Sequence, residues 1–170
     1  METAKMLELL SVQRHDFLNH LQVISGLIQL KKEAAAREYI KRVTGDIISL
    51  SKVVHLNIPE VAAVLLYANN RAANHRIEIN FDIQINPGES TVPGELLAAL
   101  LGEVLNDIID YLSPPEVLSR KVSVSITGTP GDCTWQISFG AVPDLPPTRI
   151  MDSARRAEEQ GVRLKVHITG

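Results

Sequence analysis

The stretch of sequence that decides the fold is RHDFLNHLQVISGLIQL, residues 14–30, which combines a regular apolar pattern with a cluster of polar side chains. At about 100° per residue, its apolar side chains fall within one narrow sector of a helix. This sector contains Leu10, Phe17, Leu21, Ile24 and Ile28. The pattern therefore predicts a helix from about residue 6 to residue 30 with one buried face.

A second helical pattern follows a break at residues 31–34. Its apolar residues recur three and four positions apart, as in a coiled-coil seam: Ile40, Val43, Ile47, Leu50 and Val54. The two helices are predicted to form a hairpin domain over residues 1–57. Because a single hairpin leaves such seams exposed, the pattern favours a homodimer in which two hairpins form a four-helix bundle.

The pattern changes at Pro59, a residue that suits the first turn of a new helix, and a second domain is predicted over residues 58–170. Strict apolar alternation over residues 77–85 predicts a half-buried strand. Further helices are predicted over 60–74, 95–112 and 151–160, and further strands over 121–127, 134–139 and 162–169. The whole chain is thus predicted to be α+β, with a helical hairpin followed by a small α/β sandwich whose helices pack on a mixed sheet.

Composition narrows the class of protein. The chain has 170 residues, 45% of them hydrophobic, and a net charge of −3, so no overall basic field favours nucleic acid or an anionic membrane. A single cysteine excludes an internal disulfide framework, and no stretch approaches about 18 uninterrupted apolar residues. A cytoplasmic protein without nucleic-acid or membrane partners is expected.

The polar residues of the first helix lie opposite its apolar sector. His15, Asn19 and Gln22 are about 140–200° from Phe17, so His15 is predicted to face solvent with Asn19 one turn away. His20 projects about 140° from His15, which is not the i, i+4 spacing of a zinc-binding histidine pair. No metal site is predicted.

An exposed histidine on a rigid bundle suits phosphoryl transfer. A neutral imidazole is a nucleophile at physiological pH, and the carboxylate of the adjacent Asp16 can orient the ring and stabilise the positive charge that grows on it. An exposed histidine with polar neighbours is also typical of a merely solvated helix face. The position of His15 alone leaves both readings open.

RHDFLNHLQVISGLIQL resembles the phosphoacceptor helix of the family that joins the sporulation phosphotransferase B proteins with the citrate- and dicarboxylate-sensing histidine kinases. PEVAAVLLYANNRAANHRIEI, residues 59–79, is similar to the segment that links the bundle to an ATPase-like domain in that family. The resemblance implies that His15 carries the phosphoryl group, with Asp16 as flanking acid and Asn19 as supporting amide. Arg14 completes the motif.

The chain departs from active kinases of that family at the nucleotide site. Where they have a helix resembling LGNLLDNAIEA, residues 101–110 read LGEVLNDIID, with Glu103 and Asp107 in place of the two expected asparagines. Where they have a D-x-G-x-G turn, residues 137–144 read ISFGAVPD, and residues 148–160 contain no glycine for a lid. Side chains and a proline in place of those glycines would obstruct phosphates or a nucleobase. An ordinary ATP site is not expected, and the second domain is interpreted as a degenerate histidine-kinase ATPase-like domain.

These residues predict a phosphorelay phosphotransferase that moves a phosphoryl group between the receiver aspartates of response regulators through a phosphohistidine at His15. Arg14, Leu18 and Gln22 are the predicted partner-binding residues. The chain is expected to bind no cofactor itself, with Mg²⁺ held in the receiver domain. Two alternatives stay open: an ATP-dependent sensor histidine kinase core with an atypical nucleotide site, and a non-catalytic dimeric adaptor or kinase inhibitor that uses the same helix for docking.

Overall fold

A computed structural model gives the structure of residues 2–170. The chain separates into two compact units, the first ending at Ile48 and the second formed by Ser49–Gly170. This division falls inside the second helix, whereas the sequence pattern places the domain boundary after residue 57. The difference arises because the last turns of that helix contribute Val53 and the following Leu56 to the hydrophobic core of the second unit.

The first unit is built from two helices, α1 (Glu2–Gln29) and α2 (Glu33–Val54). A tight turn joins them, in which Lys31 adopts the left-handed conformation with φ 58°. Ala36 and Val43 are the residues of α2 that become buried within this unit. Both predicted helices of the N-terminal region are therefore present.

The apolar sector predicted for α1 is exposed in the single chain. Phe17 retains 54% and Ile28 57% of their accessible surface, and Ile47 of α2 retains 51%. Half-exposed large apolar side chains in such a row are typical of a surface that another body covers. They support the predicted four-helix bundle, and the homodimer itself stays a prediction.

The second unit consists of three helices and a four-stranded mixed sheet. Its elements in chain order are α3 (Pro59–Asn74), β1 (Glu78–Ile83), α4 (Gly94–Leu112), β2 (Lys121–Thr129), β3 (Asp132–Gly140), α5 (Thr148–Glu159) and β4 (Leu164–Thr169). The strands lie in the order β1-β2-β3-β4, with β2 and β3 antiparallel and the two outer pairs parallel. The predicted α+β class is confirmed.

The helices of this unit pack on one face of the sheet. Alternate residues of β1 to β3 are buried, so that Phe81, Val124 and Ile137 lie on the helix side of the sheet. The core of α4 faces them through fully buried side chains such as Leu105 and Ile108. None of the helices within residues 2–170 is long and apolar enough to cross a membrane.

Candidate functional site

His15 lies midway along α1 on an exposed face. Its side chain retains 76% of its accessible surface, and the side chain of the adjacent Asp16 retains 59%. The surrounding helix is uninterrupted from Glu2 to Gln29, so the imidazole stands on a regular backbone. An exposed ring on such a backbone is open to a partner protein.

The two ring nitrogens of His15 have different surroundings. Nδ1 lies 3.2 Å from the amide nitrogen of Asn19, one helical turn away, and 4.0 Å from Oδ1 of Asp16. Within residues 2–170, the side-chain hydrogen bonds formed by this ring all involve Nδ1. With the Asn19 amide nitrogen as donor, Nδ1 accepts and the ring proton is on Nε2; with the amide turned so that its oxygen faces the ring, Nδ1 carries the proton and donates it to that oxygen. The carboxylate of Asp16, 4.0 Å from Nδ1, favours the second arrangement. In that tautomer Nε2 holds a free lone pair directed at solvent.

The remaining residues of the predicted site lie near His15 on α1 and, within residues 2–170, form no hydrogen bond or ion pair with its ring. Arg14 and Gln22 are exposed, and Leu18 retains 50% of its accessible surface. Leu18 and Gln22 follow His15 by three and seven positions, so they lie near it on the same helix face. The structure thus brings Asp16 and Asn19 to the imidazole and leaves the other three as open surface beside it.

His20 has different surroundings from His15. Its Nδ1 lies 2.7 Å from the hydroxyl of Tyr39 in α2, and the guanidinium of Arg42 lies 5.0 Å from the centre of the Tyr39 ring. This half-buried cluster joins the two helices of the hairpin. A histidine engaged in this way is a structural residue, as its separation from the face of His15 indicates.

Glu103 and Asp107, the two acidic residues of α4 singled out in the sequence, are paired with arginines of α5. Asp107 is nearly buried, and its Oδ1 lies 3.5 Å from Nε of Arg149. Glu103 accepts a hydrogen bond from Arg156. Two carboxylates whose charge is already balanced are poor ligands for a metal ion that must strip its own water to bind them.

Tyr111 fixes the loop that follows β3. Its hydroxyl donates to the carbonyl of Leu145 at 2.8 Å and accepts from the backbone N–H of Val142 at 2.9 Å. Its ring also packs edge-on against Phe139, with the ring centres 5.6 Å apart. The loop after β3 is thus held on α4 by a buried side chain.

These contacts of α4 were not part of the sequence prediction, although the sequence carries a signal for them. Glu103 and Asp107 are one helical turn apart, and Arg149 and Arg156 are seven residues apart, so each pair occupies one helix face. One helix face that carries two acids and another that carries two arginines can form ion pairs where the helices pack together. The contacts of Tyr111 have no comparable signal, because they depend on the path of a loop.

Cys133 lines a small cavity in the second unit, away from these contacts. The cavity has a volume of about 90 Å³ and is bordered by residues such as Trp135, Thr91 and Arg163. Burial raises the pKa of the Cys133 thiol. The side chain is partly buried against the hydrophobic core, so its contacts are packing contacts.

Comparison with known proteins supports the resemblance. Residues 1–56 match the family model described as Sensor_kinase_SpoOB-type, alpha-helical domain. The chain is also similar to Sensor protein CitS of Halalkalibacterium halodurans, with 28% identity over 153 residues. That match covers 85% of this chain and 27% of the relative, so the chain spans about a quarter of the relative's length. The two matches support a relationship to the SpoOB-type sensor kinases.

Proposed function

We propose that this relative of the SpoOB-type sensor kinases is a phosphorelay histidine phosphotransferase. In this proposal His15 accepts a phosphoryl group from the phosphoaspartate of one response-regulator receiver domain and passes it to the aspartate of another. The observation that carries the proposal is the geometry of His15, whose Nδ1 faces Asp16 and Asn19 while Nε2 faces solvent.

The chemical step uses the lone pair of Nε2. This lone pair attacks phosphorus, the bond between phosphorus and the aspartyl oxygen breaks, and the receiver carboxylate leaves with the electron pair. The ring keeps its proton on Nδ1, so it becomes a positively charged phosphoimidazole while the transfer proceeds. In the second half-reaction an aspartyl oxygen attacks phosphorus, the N–P bond breaks, and neutral imidazole returns.

Asp16 and Asn19 assist this step through Nδ1. The carboxylate of Asp16 favours the growing positive charge on the ring, and the amide of Asn19 restrains the rotation of the ring. Charge on the transferring phosphoryl oxygens would be neutralised from the receiver domain, where Mg²⁺ is expected. Because the receiver domain would supply the charge that neutralises the phosphoryl oxygens, the phosphotransferase needs few polar residues around His15.

The second unit supports transfer without ATP. Glu103 is paired with Arg156, Asp107 with Arg149, and Tyr111 holds the loop after β3 on α4. A nucleotide would bring further negative charge to this face and would have to break these pairs. Under this proposal the unit is a structural remnant of a kinase domain.

Transfer of label from a phosphorylated receiver domain tests the proposal. The purified chain is incubated with the radiolabelled receiver in the absence of ATP, and the product is divided between acid and base. Acid-labile, base-stable label on the chain is expected, because phosphoramidates of histidine hydrolyse in acid. His15→Ala should receive none, whereas the control variant Gly45→Ala, a change in α2 away from the predicted site, should be labelled like the unmodified chain. Label that persists in the His15 variant would refute the proposal.

The similarity to a sensor protein over most of the chain favours one alternative, an ATP-dependent sensor histidine kinase core. This alternative predicts that the chain binds ATP and Mg²⁺ and labels itself on His15. Isothermal titration with ATP and Mg²⁺ distinguishes the two functions. Saturable binding heat together with autophosphorylation would favour the kinase over the phosphotransferase. The ion pairs between the acids of α4 and the arginines of α5 predict that no binding heat is measured.

A further inference from the structure

We infer that Gly26 is a positioning residue for the receiver domain. Because glycine has no side chain, the receiver domain can approach the backbone of α1 closely at this position. This inference rests on the proposed phosphotransfer between receivers and His15. It adds a second point of contact, three helical turns from the reacting histidine.

Gly26 has no packing reason to be glycine. It lies inside the continuous helix α1, where glycine is among the poorest helix formers. A Cβ atom built at this position meets no heavy atom within 4 Å, so alanine would fit without any shift of its neighbours. The backbone there is ordinary right-handed helix, which removes the conformational reason for glycine as well. The absence of a side chain at Gly26 therefore leaves space on the outer surface of α1, where another molecule can lie.

The open space at Gly26 is in line with His15. The two residues are eleven positions apart, which is about three turns, about 16 Å along the axis and about 20° around it. Asn19 and Gln22 lie between them on the same face, and both are exposed. A partner whose active site meets His15 and whose body extends along α1 would thus pass directly over Gly26.

The geometry points to the receiver domain as the occupant of this face. Gly26 follows Phe17 by nine positions, so it lies about 180° around α1 from the exposed apolar sector. That sector is the surface predicted to pack against a second copy in the four-helix bundle. The opposite face carries His15 and its polar neighbours, and it is the face that a phosphate-bearing partner has to reach.

Gly45 provides a matched control. It also lies inside a helix, and a Cβ atom there also meets nothing within 4 Å. It follows the buried Val43 by two positions, about 200° around α2, so it faces away from α1. The same substitutions at Gly45 therefore change helix propensity equally without entering the face of His15.

The experiment compares Gly26→Ala and Gly26→Gln with Gly45→Ala and Gly45→Gln, using two phosphoryl donors. One donor is a phosphorylated receiver domain that labels the unmodified chain, and the other is phosphoramidate, a small molecule that needs no docking surface. Circular dichroism and thermal melting establish that each variant keeps its helices. For transfer from the receiver, KM and kcat are measured separately.

We expect Gly26→Gln to raise KM for the receiver about tenfold or more, Gly26→Ala to raise it less, and kcat at saturation to change little. Labelling by phosphoramidate should match that of the unmodified chain in every variant, and both Gly45 variants should match it with both donors. Equal KM values for the Gly26 and Gly45 variants would overturn the inference while leaving the phosphotransferase intact. If the unmodified chain takes label from phosphoramidate but from no receiver domain, the proposed function fails and this inference fails with it.

Discussion

Replacing Asp16 by asparagine is predicted to slow phosphoryl transfer onto His15 by about fivefold, a modest effect compared with the complete loss in His15→Ala. Asparagine keeps the size of the side chain and removes its charge. The rate should fall because the positive charge that grows on the ring during attack loses a nearby counter-charge.

The magnitude follows from the distance and the exposure. Oδ1 of Asp16 lies 4.0 Å from Nδ1 of His15, and the two side chains retain 59% and 76% of their accessible surface. Two unit charges at about 4 Å interact by about 1 kcal/mol in water, and exposed ion pairs seldom exceed that value. A change of about 1 kcal/mol in the barrier corresponds to a rate change of about fivefold.

The assay is rapid-quench transfer from a phosphorylated receiver domain at low and high ionic strength. Salt screens exposed charges, so the ratio of the two rates should shrink as salt is added. Glu33→Gln, which removes one carboxylate at the start of α2, is the control for net charge and should leave the rate unchanged. A loss of more than a hundredfold in Asp16→Asn would mean that the carboxylate takes part directly in the chemistry, and no loss at all would mean that it does not act on the ring. Either result would refute the reasoning from distance and exposure.

Three further predictions concern stability and assembly. Tyr111→Phe should lower the free energy of unfolding of the second unit by about 1–3 kcal/mol, because two backbone groups lose their hydrogen-bond partner. Tyr67→Phe, a change at a half-exposed tyrosine, should alter this free energy little. Urea denaturation followed by circular dichroism measures both variants. Arg149→Ala should lower the free energy of unfolding by about 1–3 kcal/mol, because it leaves a nearly buried carboxylate unpaired. Arg155→Ala, which removes two exposed ion pairs, with Asp152 and Glu159, should lower it by less than about 1 kcal/mol in the same assay. Leu21→Lys, which places a charge in the exposed apolar sector of α1, should convert a dimer to a monomer in sedimentation equilibrium, and an unmodified chain that sediments as a monomer would remove the four-helix bundle.

Periodicity was sufficient for the secondary structure of this chain. The alternation of apolar residues over 77–85 and the helical spacing before and after it are local properties of the sequence, and the structure has a strand and helices there. The face of His15 was predictable for the same reason, since the position of a side chain around a helix depends only on its spacing from the apolar sector.

The contacts between distant elements were beyond that kind of reasoning. Tyr111 reaches a loop some thirty residues later, and no periodic pattern states where such a loop will run. The sequence showed Asp107 only as an acid in the place of an expected asparagine, and its pairing with Arg149 depends on how α5 crosses α4. The division of the chain within α2 likewise depends on Val53 finding its packing partners in the second unit.

The most direct test of the account is to locate the phosphoryl group after transfer from a receiver domain without ATP. The chain is labelled uniformly with ¹⁵N, and ³¹P–¹⁵N correlation identifies the phosphorylated nitrogen while peptide mapping identifies the residue. The account predicts phosphate on Nε2 of His15. Phosphate on Nδ1, phosphate on any other residue, or phosphate that reaches His15 only when ATP is supplied would contradict it.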